Sequence, residues 1–390
     1  MPVDYPGGYY DNGLTRETLE SVQRMSITDE EKDKILTRNA VRLLALAHQA
    51  ESQKEIMKPQ LTTEERETID LLTGRFCPRY DSMKILAANR SVVVDVGHGS
   101  ESFILKVSRD LNTLDKVTAF EADWINYLYR NKVGVPRLIR STSNQLVERV
   151  SSGDMAFSCY CYEKVPVDTS DKEYWSDSHF IQELGSTMGK MHTLAESYEI
   201  HEIEKAPSWD SPEWIRNPEG YFHPSQSGVV VTIHKLREQI STLLKDTHYF
   251  GLIHDDLHKG NVVRANGELV ILDFECLHLN WFVAEIASTI LFRTWIGPEK
   301  EKTEVKQAAM SFLRNLLIGY VREHDLDDIW YKQLPLFLKL REVSLFATYF
   351  IYQDIGNYGD KSLFNYVYHS ISENKPFLDV DFTKEFGAYN

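Results

Sequence analysis

One stretch of the chain, Gly251-Leu-Ile-His254-Asp255-Asp256-Leu-His258-Lys259-Gly260-Asn261, is followed by Val-Ile-Leu-Asp273-Phe-Glu275, with Asp273 twelve positions beyond Asn261. An aspartate with an asparagine five positions on, and then an aspartate closing a β-branched run, is the set that phosphoryl transfer requires. One carboxylate must orient a hydroxyl and accept its proton, while oxygen ligands hold magnesium against ATP phosphates. Asp256 fits the catalytic role; Asn261 and Asp273 fit the metal-ligand role.

Strands and a loop must present these groups. Phe250 to Ile253 is a short apolar run, and the polar residues and Gly260 after it point to strand-loop-strand rather than helix. Ala265-Asn266-Gly267-Glu268 is a hairpin signal, and Leu269 to Leu272 reads as a buried strand. Asp256 and Asn261 then sit at one rim of a hairpin, with Asp273 at the end of its second strand. A zinc site of His-Glu-x-x-His type is the rival reading of His254 and His258. It needs one helix carrying both imidazoles and a glutamate, whereas here the acid is Asp255 and Gly260 interrupts any helix.

His254-Asp255-Asp256-Leu-His258-Lys259-Gly260-Asn261 resembles the His-Gly-Asp-Leu-His-Pro-Gly-Asn motif of aminoglycoside phosphotransferases and their relatives, the choline, homoserine and hydroxylysine kinases. Leu272-Asp273-Phe-Glu275 and Asn280-Trp-Phe-Val-Ala-Glu285 are similar to the metal-binding segment and following helix of that family. Asp255 stands in place of a glycine, Lys259 of a proline and Glu285 of an aspartate. The resemblance implies an α+β, protein-kinase-like two-lobe fold: a small antiparallel β lobe and a large, mainly helical lobe. It also implies ATP and Mg2+ as cofactors and a small-molecule hydroxyl as acceptor. A protein kinase fits less well, because Asp273-Phe274 is followed by Glu275 and no Ala-Pro-Glu segment follows.

The upstream chain supplies the small lobe. Lys84–Leu86, Val92–Val96 and Phe103–Val107 read as strands, the last two joined by a hairpin tip at Gly97-His-Gly99. Lys106 on the third strand is placed to reach nucleotide phosphates. Thr118-Ala-Phe-Glu121 opens a helix that ends before Gly134 and Pro136; Glu121 pairs with Lys106, or serves only a capping box with Thr118. The phosphate-covering loop is Ala87 to Ser91, where backbone amides or the side chains of Asn89 and Ser91 approach the nucleotide. Gln145–Val150 and Met155–Glu163 form a further hairpin, and Glu163-Lys-Val165 is the hinge that meets adenine. In the helix Phe180 to His192, Gly185 and Gly189 indicate close packing against a neighbour, and His192 reads as a packed residue.

Three regions follow: a helical N-terminal extension (1–79), a nucleotide-binding small lobe (80–163), and a catalytic and acceptor-binding large lobe (164–390). In the extension Thr15–Met25, Thr28 to about Ala50, and Thr62–Leu72 read as helices, the latter two with Thr-x-x-Glu capping boxes. Residues from Asp4 through Leu46 resemble the C-terminal tail of metal-dependent amidohydrolases. No barrel precedes them, so Asp4 is assigned no chemistry. In the large lobe Glu304–Val321 is an amphipathic helix, and Leu334 opens another. Trp281, Trp295, Tyr349, Phe350 and Tyr352 are candidates for lining an acceptor pocket, although aromatics at helical spacing are more often core, and Asp354 and Asp360 are candidates for meeting a cation, although a solvated loop is the favoured reading.

The net charge of -15 disfavours nucleic acid and suits a cationic small molecule. The four cysteines show no Cys-x-x-Cys spacing. Cys159 and Cys161 lie about 7 Å apart on one strand face, which suits packing rather than a disulfide and points to a reduced, cytoplasmic setting. The most apolar stretch, Asn280 to Phe292, is too short to span a bilayer. The expected activity is therefore ATP- and Mg-dependent transfer of a phosphoryl group to a small-molecule hydroxyl. His258 braces the loop and Glu275 stands beside the metal. A catalytically silent nucleotide-binding regulator of the same fold is the alternative.

Overall fold

The computed structural model describes residues 61–88, 91–110, 115–152, 155–168, 172–198, 206–294, 302–350 and 361–386. The first two predicted helices, Asp4, Asn89, Trp295, Tyr352, Asp354 and Asp360 lie outside those residues, as do the side chains of Tyr349 and Phe350.

Alternating apolar residues build the small lobe. Its antiparallel sheet contains β1 (Ser82–Ala88), β2 (Ser91–His98), β3 (Glu101–Asp110), β4 (Leu138–Ile139), β5 (Val147–Ser152) and β6 (Met155–Glu163). The order is β1-β2-β3-β6-β4, with β5 also on β6. Val92, Val94 and Val96 on β2 face one core with Leu105 and Val107 of β3 and Cys159 and Cys161 of β6. Both of these cysteines are buried and free, and burial raises their thiols, Cys161 to about 12. The Gly97-His-Gly99 segment is a hairpin tip, with Gly99 at φ 59°.

Helix α1 (Thr63–Phe76) begins at the predicted capping box, where Thr62 accepts from Glu65 N–H and Glu65 returns the bond. Sequence reading places it in the extension, yet Leu61, Ile69 and Leu72 pack into the small-lobe core. Helix α2 (Asp115–Arg130) corrects a predicted start. Thr118 lies within the first turn rather than capping it, and its hydroxyl accepts from Ser158 Oγ at 2.9 Å.

The large lobe contains α3 (Ser178–Glu196), α4 (Ser227–Ser241), α5 (Phe282–Thr294), α6 (Lys302–Tyr320), α7 (Asp328–Leu345) and α8 (Lys361–Ser372). Two small hairpin-like sheets hold the site: β7 (Phe250–Ile253) with β10 (His278–Trp281), and β8 (Val262–Ala265) with β9 (Glu268–Ile271). Asn266 and Gly267 join β8 to β9 with φ of 52° and 81°, as a two-residue turn with both angles positive requires. Helices α3 and α6 pack closely. A Cβ on Gly185 would collide with the Leu316 carbonyl, and one on Gly319 with the Gln182 carbonyl.

Two further expectations change. Helix α7 opens at Asp328, not Leu334, and carries Pro335 inside it. Trp281 is fully buried, donates its indole N–H to the Leu244 carbonyl at 2.9 Å and packs on Trp209, Phe250 and Phe337, so it belongs to the core. No helix among the described residues is long and apolar enough to cross a membrane.

Candidate active site

The site forms where β3 of the small lobe meets the β7–β8 loop and the end of β9. Residues 254 to 261 form a loop with no helix, so His254 and His258 cannot present two imidazoles from one helix face. The zinc-protease reading is thereby removed. His254 is fully buried; its Nε2 donates to the Leu272 carbonyl at 2.9 Å, and its Nδ1 accepts the Asp256 N–H at 3.2 Å. One imidazole thus ties the Asp256 loop to the strand end that carries Asp273.

Asp256 and Asn261 are brought together. Asn261 Nδ2 donates to Asp256 Oδ2 at 2.8 Å and to its carbonyl at 3.0 Å. With its amide N–H groups committed, Asn261 offers Oδ1 to a cation. His258 accepts the Gly260 N–H at 2.8 Å and stands 3.4 Å from Asp256 Oδ2, bracing the loop. Burial would raise the Asp256 carboxyl, but His258, Arg341 and His254 outweigh it and hold it below the ordinary aspartate value.

Lys106 joins the lobes. It is buried among Ile104, Leu105 and Val107, and its ammonium donates to Glu121 at 2.8 Å and to Asp273 at 2.9 Å, with Glu275 at 3.4 Å. Tyr160 O–H also donates to Glu121, at 2.8 Å. Burial opposes the charge on Lys106, yet Tyr160, Glu121, Asp273 and Glu275 together keep it above the usual lysine value. Asp273 has φ 59°, and burial, which would raise its carboxyl, is outweighed chiefly by Lys106, so it stays low. Asp273 and Asn261 supply hard oxygen donors beside a fixed cation, a set that fits a divalent metal on phosphates.

The other predicted nucleotide contacts have partners of their own. Ser91 begins β2, pairs with Ser108 and is largely buried, so the described residues of the expected loop at Ala87 to Ser91 lie in the flanking strands. The Glu163 side chain pairs with Arg137 and its N–H donates to the Arg137 carbonyl at 3.0 Å. The Val165 carbonyl accepts from Val167 at 2.9 Å.

A model of the phosphotransferase enzyme family matches residues 83–320. The chain belongs to that family. It is similar to amicoumacin kinase of Bacillus subtilis (strain 168), 26% identical over 309 residues, covering 78% of this chain and 90% of that protein. Its fold is similar to that of an amicoumacin kinase solved with AMP-PNP, Ca2+ and Ami, with TM-score 0.74, 23% identity and coverage of 82% and 96% of the two chains. A microcompartment-associated aminopropanol kinase is similar at TM-score 0.58 and 19% identity, covering 78% and 95%. This chain is a small-molecule phosphotransferase, and nothing in these likenesses supports a catalytically silent regulator.

Two groups of this phosphotransferase escaped sequence reading. Arg341 on α7 reaches Asp255 Oδ2 at 3.0 Å and Asp256 Oδ1 at 3.4 Å, with its guanidinium over the Phe292 ring. A signal existed: Lys339, Arg341 and Glu342 interrupt an apolar helix segment, and Lys339 and Glu342 pair in the core. The second group is a buried relay under the loop. Glu285 Oε1 accepts the N–H groups of His254 at 2.8 Å and Asp255 at 2.9 Å. Its Oε2 lies 2.7 Å from His192 Nε2, and His192 Nδ1 lies 2.8 Å from Tyr320 Oη. Burial pushes Glu285 up to about 7 and His192 down to about 3. Neutral His192, with Nε2–H donating to Glu285 and Nδ1 accepting from Tyr320, satisfies every partner.

Proposed function

We propose that this phosphotransferase binds Mg-ATP in the cleft between β3 and the 254–261 loop and transfers the γ-phosphoryl group to a hydroxyl of a small cationic molecule. The observation that carries this is Lys106 of the small lobe held 2.9 Å from Asp273 of the large lobe, beside the Asp256–Asn261 pair. Asn261 and Asp273 are the metal ligands in this reading, and the metal supplies charge neutralisation on the phosphates. Lys106, positioned by Glu121, offsets charge on the α- and β-phosphates. The Glu163–Val165 backbone is assigned to adenine, and the 87–91 hairpin, with Ser91 and Asn89, to the phosphates.

Asp256 is the base. Its depressed carboxyl is ionised at neutral pH, so it orients the acceptor hydroxyl and takes its proton late, as the new oxygen–phosphorus bond forms and ADP departs. A cationic acceptor suits the net charge of -15, and the aminopropanol of one structural neighbour's name is an amino alcohol. Four reduced cysteines among the described residues suit a cytoplasmic setting.

The test is ADP release from Mg-ATP with amicoumacin, aminopropanol and aminoglycosides as acceptors, alongside Asp256→Ala. Acceptor-dependent ADP that falls by about 10²–10⁴-fold in the variant, with nucleotide binding intact, is the expected result. Undiminished turnover in Asp256→Ala removes that residue from the role.

A further inference from the structure

We propose that Glu196, His248 and His324 form a metal site outside the phosphotransfer cleft, suited to a divalent ion of zinc type. The three come from separate elements: Glu196 ends α3, His248 lies just before β7, and His324 follows α6. Glu196 Oε1, His248 Nδ1 and His324 Nδ1 all lie within 4.8 Å of one another.

The hydrogen bonding around His324 is what points to a cation. Its Nε2 lies 3.0 Å from the His248 carbonyl, which can only accept, so Nε2 carries the proton. Nδ1 of the neutral ring is then a lone pair, and the Glu196 carboxylate oxygen, another acceptor, lies 3.2 Å from it. The opposite tautomer moves the conflict to the His248 carbonyl. Thr193 Oγ1 lies 3.1 Å from Nδ1, but its single proton also has the Glu323 carbonyl at 2.6 Å. Either neutral form therefore leaves two acceptors in contact, and a cation between Nδ1 and Glu196 removes the conflict.

A second proton is one such cation, but His324 is only 4% exposed and is enclosed by the rings of His192, Phe282, Tyr320 and His248. Burial there disfavours an imidazolium. A metal ion uses the same arrangement as it stands: ligating histidines ordinarily donate their other ring N–H to a carbonyl or carboxylate, as His324 does. The spacing also fits. Zinc bonds of about 2.0–2.1 Å in a tetrahedron separate ligand atoms by roughly 3.3 Å, and Glu196 Oε1 stands 2.9 Å from His248 Nδ1 and 3.2 Å from His324 Nδ1. The side chains of Glu196 and His248 are 29% and 38% exposed, which gives an entry path and room for water as a fourth ligand. Two imidazoles and one carboxylate favour zinc over magnesium. Bound there, the ion ties the ends of α3 and α6 to the start of β7, the strand that leads to His254.

The test uses the full-length protein, stripped with a chelator and supplied with excess Mg2+ and ADP so that the cleft is occupied. Zn2+ is titrated by equilibrium dialysis with elemental analysis, and the melting temperature is followed in parallel. The expected result is one tightly held Zn2+ per chain and a raised melting temperature. Glu196→Gln and His248→Ala each weaken binding at least tenfold and abolish the rise, whereas Asp273→Asn retains both. Because His248 is partly exposed, its replacement leaves a folded protein to measure, checked by circular dichroism. Affinity unchanged in both variants, or no Zn2+ retained by the wild type, overturns the site.

Discussion

Asp255 stands where related motifs carry glycine, and its φ of 57° supplies the physical reason for that preference. An L-residue in the left-handed region costs roughly 1–2 kcal/mol, least for Asp and Asn. Here the cost is offset by Glu285, which accepts its N–H, by Ser288 Oγ, which donates to its carbonyl at 3.0 Å, and by Arg341. Asp255→Gly is expected to stay within about 1 kcal/mol of wild type in urea unfolding, while Asp255→Val loses about 2 kcal/mol or more. Glu285 makes a pH prediction. Its folded carboxyl sits at about 7, above the ordinary 4.5, so its stabilising contribution is complete below about 4.5 and is lost as pH rises through about 7. Asp256 and Asp273 are depressed and act oppositely, losing their contribution only as pH falls below the ordinary aspartate range. The melting temperature should therefore contain a component falling between pH 5 and 7 that is absent in Glu285→Gln, where the amide oxygen still accepts both N–H groups.

Helix α3 and helix α6 approach so closely that backbone touches backbone. Gly185 and Gly189 on one and Gly319 on the other leave no room for a methyl group against facing carbonyls, which cannot swing aside as a side chain end would. Gly185→Ala or Gly319→Ala should destabilise by about 1–3 kcal/mol in denaturant titration. The same contact sets the site: α3 carries His192 and α6 carries Tyr320, so a forced separation also loosens the relay beneath Glu285. An uncrowded control such as Gly74→Ala, with nothing near the added carbon, should show no such loss.

The two lobes meet through Lys106, which contacts Glu121 within the small lobe and Asp273 and Glu275 of the large one. Removing one partner of a buried ion pair typically costs about 3–5 kcal/mol because the other charge is left uncompensated. Lys106→Met should therefore lose both stability and phosphoryl transfer. Adding Glu121→Gln should recover much of the stability, since Gln still accepts from Tyr160, while transfer stays lost. Recovery of turnover in the double variant would show that Lys106 acts only as a structural partner. Thermal melts and ADP release on the same samples separate the two effects.

The chain alone determined what is local. Asn266-Gly267 dictates its turn through φ, Thr62 and Glu65 dictate a helix start, and alternation of valines dictates β2; each needs only neighbours in sequence. The Asp256, Asn261 and Asp273 spacing was equally legible, because one loop and one hairpin carry all three. Thr118 misled because its capping pattern is a local signal, whereas its hydroxyl is engaged by Ser158 of β6, 40 positions away. The roles of Arg341 and His324, and the contacts that link Glu285 to the loop and to His192, were beyond sequence reasoning for a common reason. Each acts on a partner from 30 or more positions away, and burial then decides its charge, its tautomer and its role. Only tertiary packing brings such groups together, and only their removal from water makes the contacts matter.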